Sequence, residues 1–359
     1  MAEKKIRVLL VDDSPIVIAT LKKILSKSDS IEIVGTAGNG KEGMEKIATL
    51  NPDMICTDLM MPIMDGLEFT KQIMENSPKP ILVISSAVQK EDTGNIFNLL
   101  QAGAVDVYPK PRGNQTGDYD KIADELIKKI KVVNGVVVFS RKKTTSSFQA
   151  LPTTPGVDTT SHSFPAAGTS HNFKIVLIGA STGGPPALLE ILSRLPATFP
   201  IPIVCVQHIS IGFSNELVKW LNNNVSLKVK TAKQGEMPSA GNIYFPTEDC
   251  HLGIDPGGKF MDLKSVPFKG HRPSVSVSFY SFFEYYRANT LAVLLTGMGD
   301  DGADAMKAIR TQGGYTIAQD EKTCVVFGMP KVAIELGGAK EILPLPNIAG
   351  RIKELCKVF

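Results

Sequence analysis

Short β-branched runs alternate with stretches of helical period along most of the chain, and that alternation restricts it to a parallel α/β architecture. Ile6 to Val11 is such a run; it ends in Asp12-Asp13 and is followed by a helical pattern from Pro15 to about Ser26. Further runs lie at Ile31 to Val34, Met54 to Thr57, Ile81 to Ser85 and Val105 to Val107. A last amphipathic helix carries apolar residues at Ile122, Leu126, Ile127, Ile130 and Val133. Strands that alternate with helices pair in parallel, because each helix carries the chain back across the sheet, and both faces of such a sheet are covered.

A chain of 359 residues is long enough for two domains or three. From about Ser140 to Asn172 the composition turns to Ser, Thr, Pro, Ala and Gly with no sustained apolar period. That stretch cannot bury enough apolar area to offset ordering and reads as a flexible linker. A second α/β region begins at Phe173. Its candidate buried strands are Lys174 to Ile178, Ile203 to Val206 and Thr290 to Leu295, with a helical stretch from Ala303 to Arg310. Between them, Asn242 to Phe268 has shorter runs and several turns, the pattern of a β-rich insertion.

Charge and cysteine usage exclude several classes. With 39 basic and 36 acidic residues the net charge is only +3, and no helix-turn-helix pattern with a basic recognition helix is present, which argues against a DNA-binding output. No apolar run is long enough to cross a bilayer, and the opening Met-Ala-Glu-Lys-Lys leads into a strand rather than a signal-peptide core. The five cysteines are scattered without a CxxC pair, which suits free thiols in a reducing cytosol and a cytoplasmic protein.

In a parallel sheet, ligands collect at the carboxyl ends of the strands. Asp12 and Asp13 end the first run, Asp58 the third and Ser85 the fourth, and Lys110 follows the fifth. Carboxylates packed together repel one another unless a cation sits among them. An all-oxygen site open to water suits Mg²⁺, and a lysine and a hydroxyl beside it could hold a phosphoryl group moving onto a carboxylate. Val11-Asp12-Asp13-Ser14, Asp58-Leu59-Met60-Met61-Pro62, Met64-Asp65-Gly66, Ser85-Ser86-Ala87 and Lys110-Pro111 resemble the motifs of bacterial response-regulator receiver domains, over about Lys5 to Val133. The resemblance implies a five-stranded flavodoxin-like fold, phosphorylation of Asp58 by a histidine kinase, and phosphoryl contacts from Ser85 and Lys110. It implies Mg²⁺ held by Asp13, Asp58 and the Met60 carbonyl, with Asp12 helping through water. Val107 stands where many receivers carry an aromatic switch residue.

In the second region, Gly179-Ala180-Ser181-Thr182-Gly183-Gly184 sits between an apolar run and a helical pattern, placing Ser181 at a helix N-terminus. Such a turn serves a phosphate-binding loop or a serine nucleophile. A dinucleotide fold wants an acid at the end of the next strand; here that run ends in Gln207-His208. A third run ends near Asp300-Asp301. If these strands are parallel, Ser181, His208 and Asp301 open onto one rim as nucleophile, general base and orienting carboxylate. His251 and His271 are rival bases, and Asp300 is the rival carboxylate.

The pieces Ile178 to Pro185, Val206-Gln207-His208, Gly270-His271-Arg272-Pro273-Ser274 and Leu294 to Gly299 are similar to the catalytic domain of the chemotaxis-specific protein-glutamate methylesterases. That resemblance implies Ser181, His208 and Asp301 as the triad, with Thr182, Gly183 and the Met298 main chain near the reacting centre and no cofactor for the esterase reaction. Many relatives have Asn-Asp at Asp300-Asp301.

The expectation is therefore a receiver domain over 5–133, a linker over 134–172 and a doubly wound, mostly parallel catalytic domain over 173–359. The expected activity is demethylation of glutamate methyl esters and deamidation of glutamines on chemoreceptors, switched by a chemotaxis histidine kinase, without nucleic acid and without membrane insertion. The alternatives are the same esterase acting on a receptor outside chemotaxis, and a nucleotide-binding output with no catalysis.

Overall fold

In the computed structural model, the described residues are 4–86, 93–111, 119–138 and 172–358. Residues 139–171, most of the expected linker, and Ala87 of the Ser85-Ser86-Ala87 motif lie outside them.

The first sheet is built from β1 (Ile6–Val11), β2 (Ile31–Ala37), β3 (Met54–Thr57), β4 (Ile81–Ser85) and β5 (Asp106–Pro109). The intervening helices are α1 (Pro15–Leu25), α2 (Gly40–Leu50), α3 (Gly66–Asn76) and α4 (Thr93–Ala102), and α5 (Tyr119–Asn134) closes the unit. The strand order is β2-β1-β3-β4-β5, all parallel, the flavodoxin-like arrangement expected. β3 and β4 are buried at every residue, because helices cover both faces, so their sequences read as unbroken apolar runs. Ser14 caps α1 by accepting from the Val17 N–H, ahead of Pro15 in the first turn, and Asp65 caps α3 the same way. β2 runs three residues past the expected Val34: the polar Gly35-Thr36 ends the apolar pattern, but the ladder continues through Thr36 and Ala37 opposite Leu10 and Val11.

The second sheet has seven parallel strands in the order β14-β13-β12-β6-β7-β9-β8. In chain order these are β6 (Ile175–Ala180), β7 (Ile203–Gln207), β8 (Lys228–Thr231), β9 (Asn242–Phe245), β12 (Thr290–Leu294), β13 (Tyr315–Gln319) and β14 (Glu341–Leu343). α6 (Gly184–Leu192) and α7 (Ser214–Asn224) follow β6 and β7. α8 (Val275–Tyr286) precedes β12, and α9 (Ala303–Thr311), α10 (Met329–Glu335) and α11 (Leu345–Leu355) complete the layers. The expected β-rich insertion is smaller than its sequence pattern. Asn242–Phe245 is a strand of the main sheet, and only β10 (His251–Ile254) and β11 (Phe260–Leu263) form a separate antiparallel pair. A four-residue strand is too short for its period to mark which sheet it joins.

The chain order reverses at β6, which has β7 on one side and β12 on the other. Their carboxyl ends form the crevice where open α/β sheets place ligands. The two units pack together through α4, which lies against α6 and α7. There Phe97 stacks on Trp220, with ring centroids 5.3 Å apart.

Candidate active site

β6 delivers Ser181. Past the strand end, the Ser181 N–H donates to the Thr296 carbonyl (3.0 Å) and the His208 N–H to the Ala180 carbonyl (2.9 Å), so three neighbouring strand ends stay in register beyond the sheet. The turn after Ser181 is tight: Gly183 has φ 77°, a left-handed conformation, and a Cβ there would lie 2.5 Å from Val325. Across the crevice, a Cβ on Gly297 would come within 2.7 Å of the Ser181 Cβ, so only glycine lets the loop after β12 approach the serine this closely.

β7 delivers His208, whose Nε2 lies 2.8 Å from Asp301 Oδ2. Asp301 is buried beside the N-terminus of α8. It accepts from the Ser274 hydroxyl (2.9 Å) and from the backbone N–H groups of Val275 (2.7 Å) and Ser276 (3.0 Å). Burial alone would raise its pKa; the His208 contact and the Ser276 hydrogen bonds outweigh that and hold the carboxyl well below the usual range. An ionised Asp301 makes His208 Nε2 the protonated nitrogen. That leaves Nδ1 as the proton acceptor, a buried atom with no hydrogen-bond partner among the described residues. The two ring nitrogens thus trade the places they hold in the serine-protease triad.

The rivals are placed elsewhere. His251 is fully buried with both nitrogens engaged: Nδ1 accepts from the Ser274 N–H (3.0 Å), and Nε2 lies 3.2 Å from the Val266 carbonyl. It supports the loop that holds Asp301. Asp300 pairs with Lys269 (2.7 Å) at the surface and makes no contact with His208. His271 lies face to face with His208, with ring centroids 3.9 Å apart and planes within 6°.

Two groups escaped the sequence reading. Gln207, buried at the end of β7, donates from one amide nitrogen to the carbonyls of both Ser181 and His208, each at 2.8 Å, tying these two strand ends together. A buried polar residue closing an apolar strand was the only sequence signal. The other is Asp106 of β5, in the first unit. It accepts from the hydroxyl of Thr182, the residue after Ser181, at 2.8 Å, and pairs with Lys129 of α5 at 2.6 Å. No sequence spacing connects Asp106 to Thr182. Met298 is partly exposed on the Gly297 loop.

In the first unit, Asp12, Asp13 and Asp58 each bring an oxygen within 4.8 Å of the others at the carboxyl ends of β1 and β3. Lys110 donates to Asp58 (2.8 Å), and its ammonium also lies 2.9 Å from Asp12 Oδ2. That Asp12 oxygen is buried, and the Lys110 ammonium is the group facing it. Burial raises the Asp58 pKa, Lys110 opposes this, and Asp12 adds to the rise. Ser85 is buried at the end of β4, beside this cluster in the strand order. The set is hard, anionic and open on the Asp13 side, as a divalent cation requires.

Comparison with known proteins agrees with this geometry. A CheB methylesterase family model matches residues 176–352, and a response regulator receiver domain model matches residues 8–117. The chain is 38% identical to a protein-glutamate methylesterase/protein-glutamine glutaminase of Nitrosospira multiformis, over 98% of this chain and 97% of that one. The chain belongs to the protein-glutamate methylesterase/protein-glutamine glutaminase family. A second family member, from Carboxydothermus hydrogenoformans, is 41% identical over 98% of this chain and 99% of its own length. The second unit is also similar to the crystal structure of the Thermotoga maritima CheB methylesterase catalytic domain. That match is 44% identical with a TM-score of 0.50, covering 51% of this chain and 98% of that one. In this methylesterase the acidic cluster belongs to the receiver and the serine turn to the esterase unit, and Asp106 and Lys129 of the receiver reach Thr182 in that turn. Among the described residues, no helix is long and apolar enough to cross a membrane.

Proposed function

We propose that Ser181, His208 and Asp301 are the catalytic triad of this methylesterase and glutaminase, and that the docked receiver holds it back until Asp58 is phosphorylated. The reading assigns 5–133 to the receiver, 134–172 to the connection and 173–359 to the esterase. The carrying observation is the 2.8 Å His208–Asp301 contact on strand ends flanking Ser181. The substrate is a γ-glutamyl methyl ester on a chemoreceptor, and the biological role is chemotaxis adaptation in the cytoplasm.

Ser181 Oγ attacks the ester carbonyl and its proton passes to His208 Nδ1. Asp301 stays ionised and stabilises the imidazolium. The oxyanion faces the turn after Ser181, where the N–H groups opening a helix lack helical partners; Thr182, Gly183 and the Met298 main chain are the candidate donors. The imidazolium then protonates the departing methoxide, giving methanol and an acyl-Ser181. A water attacks this acyl group, gives its proton to His208 and releases the glutamate side chain, after which the proton returns to Ser181. With a glutamine substrate the departing group is ammonia and every other step is unchanged. The chain's own residues supply all of these groups.

In the receiver, Asp12, Asp13, Asp58 and the Met60 carbonyl would hold Mg²⁺, which supplies the charge that lets a phosphoryl group approach three carboxylates. Lys110 and Ser85 would contact its oxygens, and a histidine kinase would donate it. The oxygens of Asp12, Asp13 and Asp58, all within 4.8 Å of one another, support a cation there. Asp106 occupying the Thr182 hydroxyl supports inhibition by the docked receiver, since the residue beside the nucleophile is then bonded to another domain.

The test is methanol release from methylated receptor. Ser181→Ala should lose nearly all turnover, on the order of 10⁶-fold by analogy with serine proteases. Substantial remaining hydrolysis would refute the triad.

A further inference from the structure

We propose that His271 is a positioning residue for His208: it fixes the plane of the catalytic ring and faces the charge that ring acquires. The inference rests on the triad reading and deepens it. Asp301 holds only one atom of the His208 ring, through the 2.8 Å contact to Nε2. A ring tethered at Cγ and held at Nε2 can still tilt about the line between those two atoms, and each tilt displaces Nδ1, the atom that must take the serine proton. A second flat ring at 3.9 Å and 6° removes this freedom. The bond to Asp301 therefore sets where the ring is, and the stack with His271 sets which way Nδ1 points.

His271 is itself well held. Its backbone exchanges two hydrogen bonds with Phe268, at 2.9 and 3.0 Å. The next residue, Arg272, forks onto Asp249 at 2.8 and 2.7 Å. Three residues on, Ser274 donates its hydroxyl to Asp301. One short segment, His271 to Ser276, thus carries both the flat face against His208 and the donors that hold the carboxylate. The two constraints on the catalytic ring share a frame and move together.

The chemistry favours a neutral partner. When His208 becomes an imidazolium, a neutral aromatic face attracts it and a charged one repels it. Burial, then the neighbouring His208, pushes the His271 pKa down to about 4, with Lys129 acting in the same direction and Asp301 and Asp300 opposing. Among the described residues no carboxylate hydrogen-bonds to the His271 ring, whereas His208 holds Asp301, so the division of labour between the rings is set by their partners.

The experiment measures kcat and KM for methanol release from methylated receptor, using the full chain with Mg²⁺ and a small-molecule phosphodonor. The variants are His271→Ala, His271→Phe and His271→Gln, with Ser181→Ala as control. His271→Ala should lower kcat about 10²-fold, the usual penalty for misplacing a catalytic group by an ångström, with little change in KM. His271→Phe, a flat ring without nitrogens, should recover most of that kcat, and His271→Gln, polar without a ring, should not. Should His271→Ala fail to fold, the Phe and Gln variants still decide. Full kcat in His271→Ala, or a Phe variant no better than Gln, would overturn the proposal. A Ser181→Ala protein that still turns over would instead overturn the triad beneath it.

Discussion

Asp301 is 1% exposed and accepts three hydrogen bonds from the start of α8 besides its contact with His208, while Asp300 next to it pairs with Lys269 at the surface. Asp301→Asn should therefore lower kcat by about 10⁴-fold, the cost of the wrong imidazole tautomer in a triad. Asp300→Asn loses an exposed pair worth about 0–1 kcal/mol and should keep nearly full activity. The reverse result would move the carboxylate role to Asp300. His271 makes a second prediction at this scale. Its folded pKa of about 4 lies below the ~6.5 of an unfolded histidine. Between those values the unfolded chain binds a proton that the folded chain refuses, so this contribution to stability rises with pH and is lost as pH falls through the window. The charged and titratable groups acting on the ring are His208, Lys129, Asp301 and Asp300. The Tm of His271→Phe relative to the native protein should climb as pH drops from about 6.5 to about 4. A difference that stays constant with pH would show that the ring is not held neutral.

At the scale of elements, what could be read from the chain was what sits at strand ends. Buried parallel strands announce themselves as apolar runs, and the polar residue that ends each run marks the rim; this placed Asp12, Asp58, Ser85 and Lys110 in one unit and Ser181, His208 and Asp301 in the other. The helices between could be read from their period. β13, β14 and the polar edge strand β8 were not recovered, since three to five residues with mixed polarity carry little pattern. Nor were the roles of Gln207, Ser274 and Ser276, which exist only once three strands and a helix N-terminus meet. β5 is the clearest case of a function that only packing reveals. Four residues long, it begins at Asp106, which holds Thr182, and ends just before Lys110, which holds Asp58. A strand of that length spans about 13 Å, so one short element links the Lys110–Asp58 contact to the Asp106–Thr182 contact. Val107 stands at the position where many receivers carry an aromatic, and it is buried in register with Val83 of β4.

At the scale of the whole molecule, contacts of two dissimilar kinds hold the receiver among the described residues. One is apolar, where α4 lies on α6 and α7 and Phe97 stacks on Trp220, a ring pair worth about 0.5–1.5 kcal/mol beyond its buried area. The other is polar, the Asp106–Thr182–Lys129 cluster beside the nucleophile. Only the second reaches Thr182, the neighbour of Ser181, so the two can be separated by mutation. Asp106→Ala removes a charge-assisted hydrogen bond, worth about 1.5–3 kcal/mol, from the docked state alone. Without phosphodonor it should raise basal methanol release by about 10-fold or more, each 1.4 kcal/mol being a factor of ten. With phosphodonor its rate should match that of the native protein, because the receiver has then already left Thr182. Trp220 is the single tryptophan of the chain and lies buried against the receiver, so its emission reports docking independently of turnover. Phe97→Ala should shift that emission toward the red and also raise the basal rate, since losing the apolar contact loosens the same docked state. If Asp106→Ala left the basal rate unchanged while removal of residues 1–172 raised it, the receiver would inhibit by bulk alone and the Thr182 bond would be incidental. If neither change raised the rate, the docked receiver would not be inhibitory.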